Sequence, residues 1–495
     1  MNKCLFFGYF PEIWKKGLVI FFRKRNKSPD NIRAYRPITL LPVLGKLLEK
    51  ILKTRIMVYL ESINFFDNGQ HGFREGCSTS SALRALKVNI DNIRKNFKYT
   101  ALISLDIQGA FDNISWCIIY DVINETPLPL YMKNILKSYL HNRSIGINLN
   151  DMFTWHKINK GCPQGSCLGP LLWLLVADRV LKRYRQCGGS VISYADDFII
   201  LVEGNTRTGL EQVATSRLEF FDSICADFRL PLSVDKTRAM MLGTNLLENR
   251  RPQFKLKNVN IKFERNIEYL GFTLDEKFNF YTHFDTVREK IINFTSGFRS
   301  FSSYGKGLQN EITKIWYKVV REKQILYGHD AWGDFINSHT KRRIFSCQRQ
   351  GLLSVAKTYR SVSTDALCTI TGIPPILITL ENEYKVYGVL NGLEEILIEN
   401  ETISKTNLST KIKTYDFPNF KQLNNLFIIE DLKTHGDTND FDVVVYTDGS
   451  RMSNGTASAF VAYVNDQEVN TCQIKLCKFN SIFQAELTAI NYDTK

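Results

Sequence analysis

The sequence predicts an α+β chain in which a small antiparallel sheet is backed by amphipathic helices. The stretch 191–202 reads V-I-S-Y-A-D-D-F-I-I-L-V, and two apolar runs around a two-residue turn are typical of a β-hairpin. Residues 101–105 indicate a third strand. Apolar residues recur at three- and four-residue steps over 44–59 and 83–97, and this spacing predicts two helices.

Composition limits the classes of function. The 495 residues suffice for two to four domains, and a net charge of +14 favours a polyanionic partner, nucleic acid before an anionic membrane. The longest apolar runs, such as 171–177, are far shorter than the roughly 18 residues of a membrane span. The first residues lack a secretory cleavage site. We therefore expect a protein of the nucleus or cytoplasm that is neither secreted nor membrane-spanning.

Carboxylates stand at the ends of predicted strands. Asp106 closes the strand 101–105, and Asp196 and Asp197 occupy the hairpin turn about 90 residues later. Adjacent carboxylates between apolar runs repel each other, and a bound cation would relieve them; a solvated hairpin tip is the alternative. If the strands are neighbours, the carboxylates converge. Magnesium binds in this way, through one or two carboxylates plus substrate phosphates.

Other segments supply loops and positive charge. Residues 70–76 (Q-H-G-F-R-E-G) form a predicted loop, and Ser78 and Thr79 are candidate caps of the next helix. Residues 161–170 are a Gly/Pro-rich entry to an apolar helix over 171–181, where glycine lets a ligand approach the backbone. A strand is predicted over 232–242. The basic residues of 1–40 are either phosphate contacts or a solvated arm.

The C-terminal half changes character twice. Residues 285–330 and 340–400 have helical patterns, the latter broken at 372–375, and 400–440 are polar and irregular. A short strand over 443–446 is predicted to end in T-D-G-S, followed by a second strand over 457–464. Residues 481–490 (S-I-F-Q-A-E-L-T-A-I) predict a helix that presents Glu486, which lies 38 residues after Asp448.

The motifs together resemble one family. In chain order they are Y-R-P-I-T-L-L-P, Q-H-G-F-R-E-G-C-S-T, L-D-I-Q-G-A-F-D-N-I, G-C-P-Q-G-S-C-L-G-P, S-Y-A-D-D-F, D-K-T and Y-L-G-F. This ordered set resembles the reverse transcriptase of a non-LTR retrotransposon, of the arthropod type whose polymerase is followed by an RNase H domain. It implies a right-hand polymerase with fingers and palm over 1–275, a helical thumb or connection over 276–400, a linker over 401–440 and a truncated RNase H-like domain over 441–495.

The resemblance also implies roles for individual residues. It makes Asp106 and Asp196 ligands of two Mg²⁺ ions, with Mn²⁺ as the alternative metal, helped by the Ile107 carbonyl and by Asp197 as a less certain third carboxylate. The implied nucleotide contacts are Phe111 beneath the sugar, Gln164 and Gly165 along the base pair, Lys236 near the triphosphate, and Arg74 and Arg36 in the fingers. A plain surface charge is the alternative for each of these basic residues.

The implied partners are an RNA template, a DNA primer or RNA–DNA hybrid, and deoxynucleoside triphosphates. Asp448 and Glu486 match the first two of four RNase H carboxylates, so we expect no ribonuclease activity from this domain. Endonuclease and gag-like functions are expected to be absent from the chain. Two alternatives are a cellular, domesticated or retron- or intron-like reverse transcriptase, and a catalytically silent nucleic-acid-binding remnant.

Overall fold

The protein is described here by a computed structural model that covers residues 1–23, 28–31, 34–149, 152–243, 251–302, 310–333, 336–391, 395–398, 401–405, 444–452, 455–464, 467–476 and 480–493. Two compact units result, Met1–Tyr384 and Lys385–Lys495. Residues 406–440 of the predicted linker lie outside the described ranges, as do four of the N-terminal basic residues, Lys24, Arg25, Lys27 and Arg33. Within those ranges, no helix is both long enough and apolar enough to cross a membrane.

Strands and helices are interspersed along the chain. The strands are β1 Lys16–Arg23, β2 Tyr35–Leu40, β3 Tyr99–Asp106, β4 Ser144–Leu149, β5 Met152–Lys157, β6 Ser190–Tyr194, β7 Asp197–Gly204, β8 Arg238–Leu242, β9 Lys255–Leu256, β10 Val259–Asn260, β11 Lys262–Phe263, β12 Asn266–Tyr269, β13 Phe272–Asp275, β14 Ile396–Ile398, β15 Glu401–Ile403, β16 Val444–Met452, β17 Gly455–Val464 and β18 Gln467–Leu476. The helices are α1 Asn2–Phe7, α2 Val43–Ser62, α3 Thr79–Asn96, α4 Ala110–Asn113, α5 Trp116–Glu125, α6 Leu130–Leu140, α7 Gly169–Arg185, α8 Arg207–Asp227, α9 Tyr281–Ser302, α10 Asn310–Trp316, α11 Lys323–Ile325, α12 His329–Trp332, α13 Ser338–Ala356, α14 Thr364–Thr371, α15 Ile376–Leu390 and α16 Ile482–Asp493, with a 3-10 turn at Glu12–Lys15 and a π-helical turn at Tyr317–Glu322.

A five-stranded sheet of order β11-β8-β3-β7-β6 lies at the centre of the first unit. Strand β3 pairs antiparallel with both β7 and β8, and its side chains alternate between two cores. Ala101 and Ile103 enter the core that contains α7 and α8, whereas Leu102 enters the core that contains α3. Because both faces of the strand are covered, its middle segment 101–103 is apolar without a break instead of alternating with polar residues. The predicted α+β class is confirmed.

A second sheet, of order β2-β1-β4-β5, joins distant parts of the first unit. Strands β1 and β2 form an antiparallel pair, and β1 pairs in parallel with β4. No local sequence signal indicates this parallel pairing, because it joins the first forty residues to residues 144–157. Its consequence is a continuous surface built from two separate segments.

Local sequence signals explain several element boundaries. Ser78 caps α3 with a full capping box, in which its side chain and that of Ser81 each bond the other's backbone amide. Two predictions were wrong in detail. Asp235-Lys236-Thr237 lies in a turn, and the strand begins only at Arg238. The helices of 340–400 were predicted to break at 372–375. A further break separates α13 from α14, where Lys357 adopts a left-handed backbone conformation and ends α13.

The second unit contains an antiparallel meander, β16-β17-β18, with α16 against it. The sequence predicted that the strand stops at residue 446 and that Asp448 follows its end. In the structure β16 continues to Met452, so Asp448 lies inside the strand. Strand β15 is a further difference, because Glu401–Ile403 pairs with β14 where irregular chain was predicted.

Candidate active site

Three aspartates converge at one end of the central sheet. Asp106 is the last residue of β3 and Asp197 the first of β7, and the register places them directly opposite each other. Residues directly opposite in an antiparallel pair direct their side chains to the same face. The two-residue turn after β6 consists of Ala195, which has a left-handed φ of 57°, and Asp196, so it lies one residue earlier than the predicted Asp196-Asp197 turn. The structure thus brings together all three carboxylates that the sequence singled out.

The electrostatics show crowded negative charge. The pKa of Asp197 is raised to about 6, first by desolvation and then by the charges of Asp196 and Asp106, while Lys236 opposes the shift; the residue nevertheless keeps an exposed surface. The pKa of Asp196 is also raised, first by desolvation and then by Asp106. The carboxylates therefore lack sufficient positive charge from the protein itself.

Lys236 provides a cation to this group. Its Nζ lies 3.0 Å from Oδ2 of Asp106, and its side chain is 66% exposed. The turn before β8 thus carries the amine to the mouth of the site. One ammonium facing three carboxylates leaves a deficit of positive charge that a divalent cation can fill.

The backbone at Ile107 is arranged for a further contact. The Gln108 amide donates to the Pro231 carbonyl at 2.9 Å, and the Ser233 amide donates to the Asp106 carbonyl at 2.9 Å. Ile107, which is paired with Leu232, takes part in neither bond. In such an antiparallel pair the carbonyl of the middle residue points away from the partner strand. The Ile107 carbonyl is therefore directed to the side of β3 on which β7 lies.

The aspartate turn is held from two sides. The buried Trp173 indole donates to the Ala195 carbonyl at 2.8 Å. On the other side, the Gln70 segment runs beside Ser193: the His71 amide donates to the Ser193 carbonyl at 2.9 Å, and a Cβ on Gly72 would lie 2.2 Å from the Ala195 nitrogen. Glycine is thus required for this approach. The sequence suggested only an apolar helix for Trp173, because its partner lies 22 residues away.

Phe111 lies on the short helix α4, five residues after Asp106. Its ring centroid is 5.8 Å from that of Phe73 and 5.7 Å from that of Trp173. These contacts from two other segments fix the ring, which is only partly buried. A fixed, partly exposed ring can exclude, by steric contact, a ligand group that is too large for the space over the ring.

The Gly/Pro-rich loop before α7 contacts strand β2. The Thr39 amide donates to the Gln164 carbonyl at 2.7 Å, while the Gln164 side chain donates to Oδ1 of Asp112 at 2.9 Å. Gly165 has a φ of 120°, and a Cβ there would lie 2.6 Å from the Thr39 carbonyl oxygen. Only glycine satisfies both conditions.

Glu49 organises the same loop from beneath and was missed by the sequence analysis. This fully buried carboxylate accepts hydrogen bonds from the Ser166 hydroxyl at 2.7 Å, the Cys167 amide at 2.7 Å and the Leu168 amide at 3.3 Å. In the sequence Glu49 looks like the other charged residues of α2. Only its burial in the folded chain distinguishes it, and burial cannot be read from the sequence around it.

The two arginines predicted to contact nucleotide or template, Arg74 and Arg36, differ in their hydrogen-bond partners and exposure. The Arg74 guanidinium forms two 2.9 Å bonds to Glu61 and donates to the carbonyls of Asp67 and Gln70. Contact with a triphosphate would require the Glu61 pair to open. Arg36 lies on β2 with an exposed side chain.

In the second unit, Asp448 and Glu486 come from elements in contact. A Cβ on Gly449 would lie 2.7 Å from the Glu486 nitrogen, so α16 crosses β16 at the residue after Asp448. Asp448 is exposed and Glu486 partly buried.

The donor set of the first unit fits a hard divalent cation. No three His, Cys, Asp or Glu side chains of the described ranges form a closed metal cage. Magnesium does not need one, since it retains waters and takes further oxygens from substrate phosphates. The raised pKa values of Asp196 and Asp197 show carboxylates that a cation would stabilise in their charged form.

Comparison with known proteins gives the family. The model for "Reverse transcriptase (RNA-dependent DNA polymerase)" matches residues 22–274. The chain belongs to this family. A Pol polyprotein of the type-1 retrotransposable element R1 from Bradysia coprophila is 29% identical over 76% of this chain and 37% of its own length. A 115 kDa protein of the element R1DM from Drosophila melanogaster is 30% identical, over 76% and 36%.

These relatives confirm the prediction of a non-LTR retrotransposon reverse transcriptase. The chain spans little more than a third of the length of either relative. A solved telomerase structure from Candida albicans is 11% identical, covers 74% of this chain and 66% of its own, and has a TM-score of 0.44.

Proposed function

We propose that the chain is an RNA-directed DNA polymerase that extends a primer 3′ end on an RNA template. The observation that carries the proposal is the register that sets Asp106 opposite Asp197, with Asp196 in the adjoining turn. Membership of the reverse transcriptase family supports it. The positive net charge suits a template–primer duplex that is gripped through its phosphates.

Asp106, Asp196 and Asp197, with the Ile107 carbonyl, would hold two Mg²⁺ ions, or Mn²⁺ in their place. When bound, such ions activate the primer hydroxyl and stabilise the leaving pyrophosphate. Lys236 would neutralise charge on the triphosphate from its place beside Asp106.

Other residues would shape the nucleotide pocket. The fixed ring of Phe111 would exclude a ribose 2′ hydroxyl, and Gln164 and Gly165 would line the incoming base pair. Arg36 would reach template or triphosphate from β2, and Arg74 would do so only after leaving Glu61. The corresponding domain assignment is fingers and palm over 1–275, a helical thumb over 276–400, a linker over 401–440 and an RNase H-like domain over 441–495.

We assign Asp448 and Glu486 to that last domain as a partial carboxylate pair. A ribonuclease of this kind uses four acidic residues, so we expect these two carboxylates by themselves not to cleave an RNA–DNA hybrid. Cleavage by the purified 495-residue chain that disappears in Asp448→Asn would overturn this expectation.

Primer extension tests the polymerase directly. The purified chain is given poly(rA)/oligo(dT), dTTP and Mg²⁺, and is compared with Asp106→Asn and Asp197→Asn. We expect each variant to lose about 10³-fold or more of the extension rate, a loss typical of essential catalytic groups. Asp235→Asn is the matched control, because Asp235 is an exposed acid in the neighbouring turn. Hybrid binding without extension by the wild-type chain would instead favour the silent binding protein.

A further inference from the structure

One face of the sheet β2-β1-β4-β5 has no covering element among the described residues. Residues paired across neighbouring strands share a face. The registers Leu18↔Leu40, Leu18↔Gly146 and Gly146↔Trp155 therefore define one side of all four strands. We call this side the aromatic face; it consists of Lys16, Leu18, Ile20, Phe22, Arg36, Ile38, Leu40, Ser144, Gly146, Asn148, Phe153, Trp155 and Lys157.

Large apolar side chains on the aromatic face are half exposed. Phe22 is 54% exposed, Phe153 48% and Trp155 47%, and three aliphatic residues have similar exposure: Leu18, Ile20 and Leu40. A contiguous exposed apolar patch of this kind marks an interaction site more often than a chance surface.

The aromatic rings form an ordered group. The centroids of Phe153 and Trp155 are 5.1 Å apart in an edge-to-face arrangement, and Nζ of Lys16 lies 5.6 Å from the Trp155 ring centroid. A Cβ on Gly146 would lie 2.5 Å from Cζ of Phe153 and 3.1 Å from Leu18. The absence of a side chain at Gly146 thus lets the Phe153 ring lie across β4 and continue the apolar surface to β1.

The charge of the aromatic face indicates the chemistry of its partner. Its charged residues are Lys16, Arg36 and Lys157, and no Asp or Glu stands at any of its positions. Cations interleaved with exposed rings suit a strand of phosphates whose bases can stack. A duplex hides its base faces and would leave the rings unused. A protein partner would need acidic groups and an apolar surface of matching shape.

We propose that the aromatic face binds single-stranded RNA, with bases stacked on Trp155, Phe153 and Phe22 and phosphates near Lys16 and Lys157. The choice of RNA rests on the proposed function, in which the single strand is the template ahead of the site. Strand β2 connects the two regions, since the Thr39 amide on it bonds the carbonyl of Gln164. The Gln164 loop therefore adjoins the aromatic face at its β2 edge, whereas Trp155 and Phe153 lie on β5 at the opposite edge of the sheet.

Fluorescence anisotropy with a labelled, unstructured RNA of about 15 nucleotides measures this binding in the full chain. We expect the double variant Phe153→Ala/Trp155→Ala to bind about tenfold more weakly or worse, as the loss of base stacking predicts. Trp155→Tyr should retain most of the affinity, since a ring remains. Tyr359→Ala is the matched control, because Tyr359 is 85% exposed and lies outside the aromatic face. Lys16→Ala should reduce the slope of log K against log salt by about 0.7.

Three results would count against RNA binding by the aromatic face. Unchanged RNA affinity in the double variant, with a melting temperature equal to that of the wild type, overturns the proposal. The same result follows if a single-stranded DNA of the same sequence, or an RNA duplex, binds more tightly than the RNA. Light scattering that reveals a dimer dissociated by the double variant would reassign the face to a second copy of the chain. A wild-type chain that extends no primer but binds RNA through Trp155 counts against the proposed function alone.

Discussion

Trp173 and Ala195 are joined by a hydrogen bond of 2.8 Å from the buried indole to the backbone carbonyl that immediately precedes Asp196. The bond fixes the turn that carries the second and third carboxylates. Trp173 also packs against Phe111, so one side chain touches both the turn of the proposed metal site and the ring of the proposed sugar site. We infer that Trp173 is a positioning residue.

Trp173→Phe keeps an aromatic ring and removes the donor. We expect a stability loss of about 1 kcal/mol, the usual net value of one hydrogen bond. The Mg²⁺ concentration for half-maximal extension should rise, because the turn is less well held. Trp332→Phe is the control, since this buried indole donates a similar 2.9 Å bond to Tyr327. An equal change of magnesium dependence in both variants would contradict a positioning role.

Phe111→Val tests the exclusion of ribonucleotides. We expect the ratio of kcat/KM for UTP to that for dTTP to rise by about tenfold or more, because the smaller side chain leaves room for a 2′ hydroxyl. Phe73→Leu is the companion variant, because it removes the edge-to-face contact of the Phe111 ring without deleting that ring. A ratio that rises more in Phe73→Leu than in Phe111→Val would locate the sugar elsewhere.

Glu49→Ala should destabilise the chain by about 3 kcal/mol, since a buried hydroxyl and two backbone amides lose a charged acceptor. Chemical denaturation measures the free energy of unfolding. Glu49→Gln keeps an acceptor oxygen and should lose less. Glu75→Ala, at an exposed position, should change little. If Glu49→Ala unfolds at the same denaturant concentration as Glu75→Ala, the loop is held by other contacts.

His283 makes stability depend on pH. Burial, with a smaller contribution from the charge of Lys290, lowers its pKa from 6.5 to about 4. The unfolded chain therefore binds the extra proton between those values, and stability is lost as the pH falls from about 6.5 to 4. The loss should approach 3 kcal/mol, which is about 1.4 kcal/mol per pKa unit.

The variant His283→Gln removes this titration, so its unfolding free energy should fall less between pH 7.5 and pH 4.5. His141→Gln, at an exposed position, should keep the dependence of the wild type. Identical pH profiles for His283→Gln and the wild type would show that the imidazole is protonated in the folded chain without a penalty.

The sequence was sufficient for elements with strong local signals. Helix α3 begins at the predicted cap, Ser78, and the hairpin around Asp196 forms as its apolar runs indicate. The turn at Asp235–Thr237 was misjudged because the apolar residues on either side continue a strand-like pattern.

Contacts between residues far apart in the chain could not be predicted from the sequence. Trp173 and Glu49 act through partners that only the tertiary fold brings near, and their sequence surroundings look like an ordinary apolar helix and an ordinary charged one. The aromatic face was hidden for the same reason, since Leu18 and Trp155 meet only through the parallel pairing of β1 with β4.

The register of β3 with β7 has a consequence for tolerance to insertions and deletions. The pairs run without a break from Tyr99↔Gly204 to Asp106↔Asp197. Side chains alternate between faces, so removal of one codon inside either strand would turn every residue beyond it to the opposite side. A deletion scan should therefore find 99–106 and 197–204 intolerant along their whole length, including positions whose side chains are freely replaceable. At those positions we expect the number of residues between the strand ends to matter in addition to their identity.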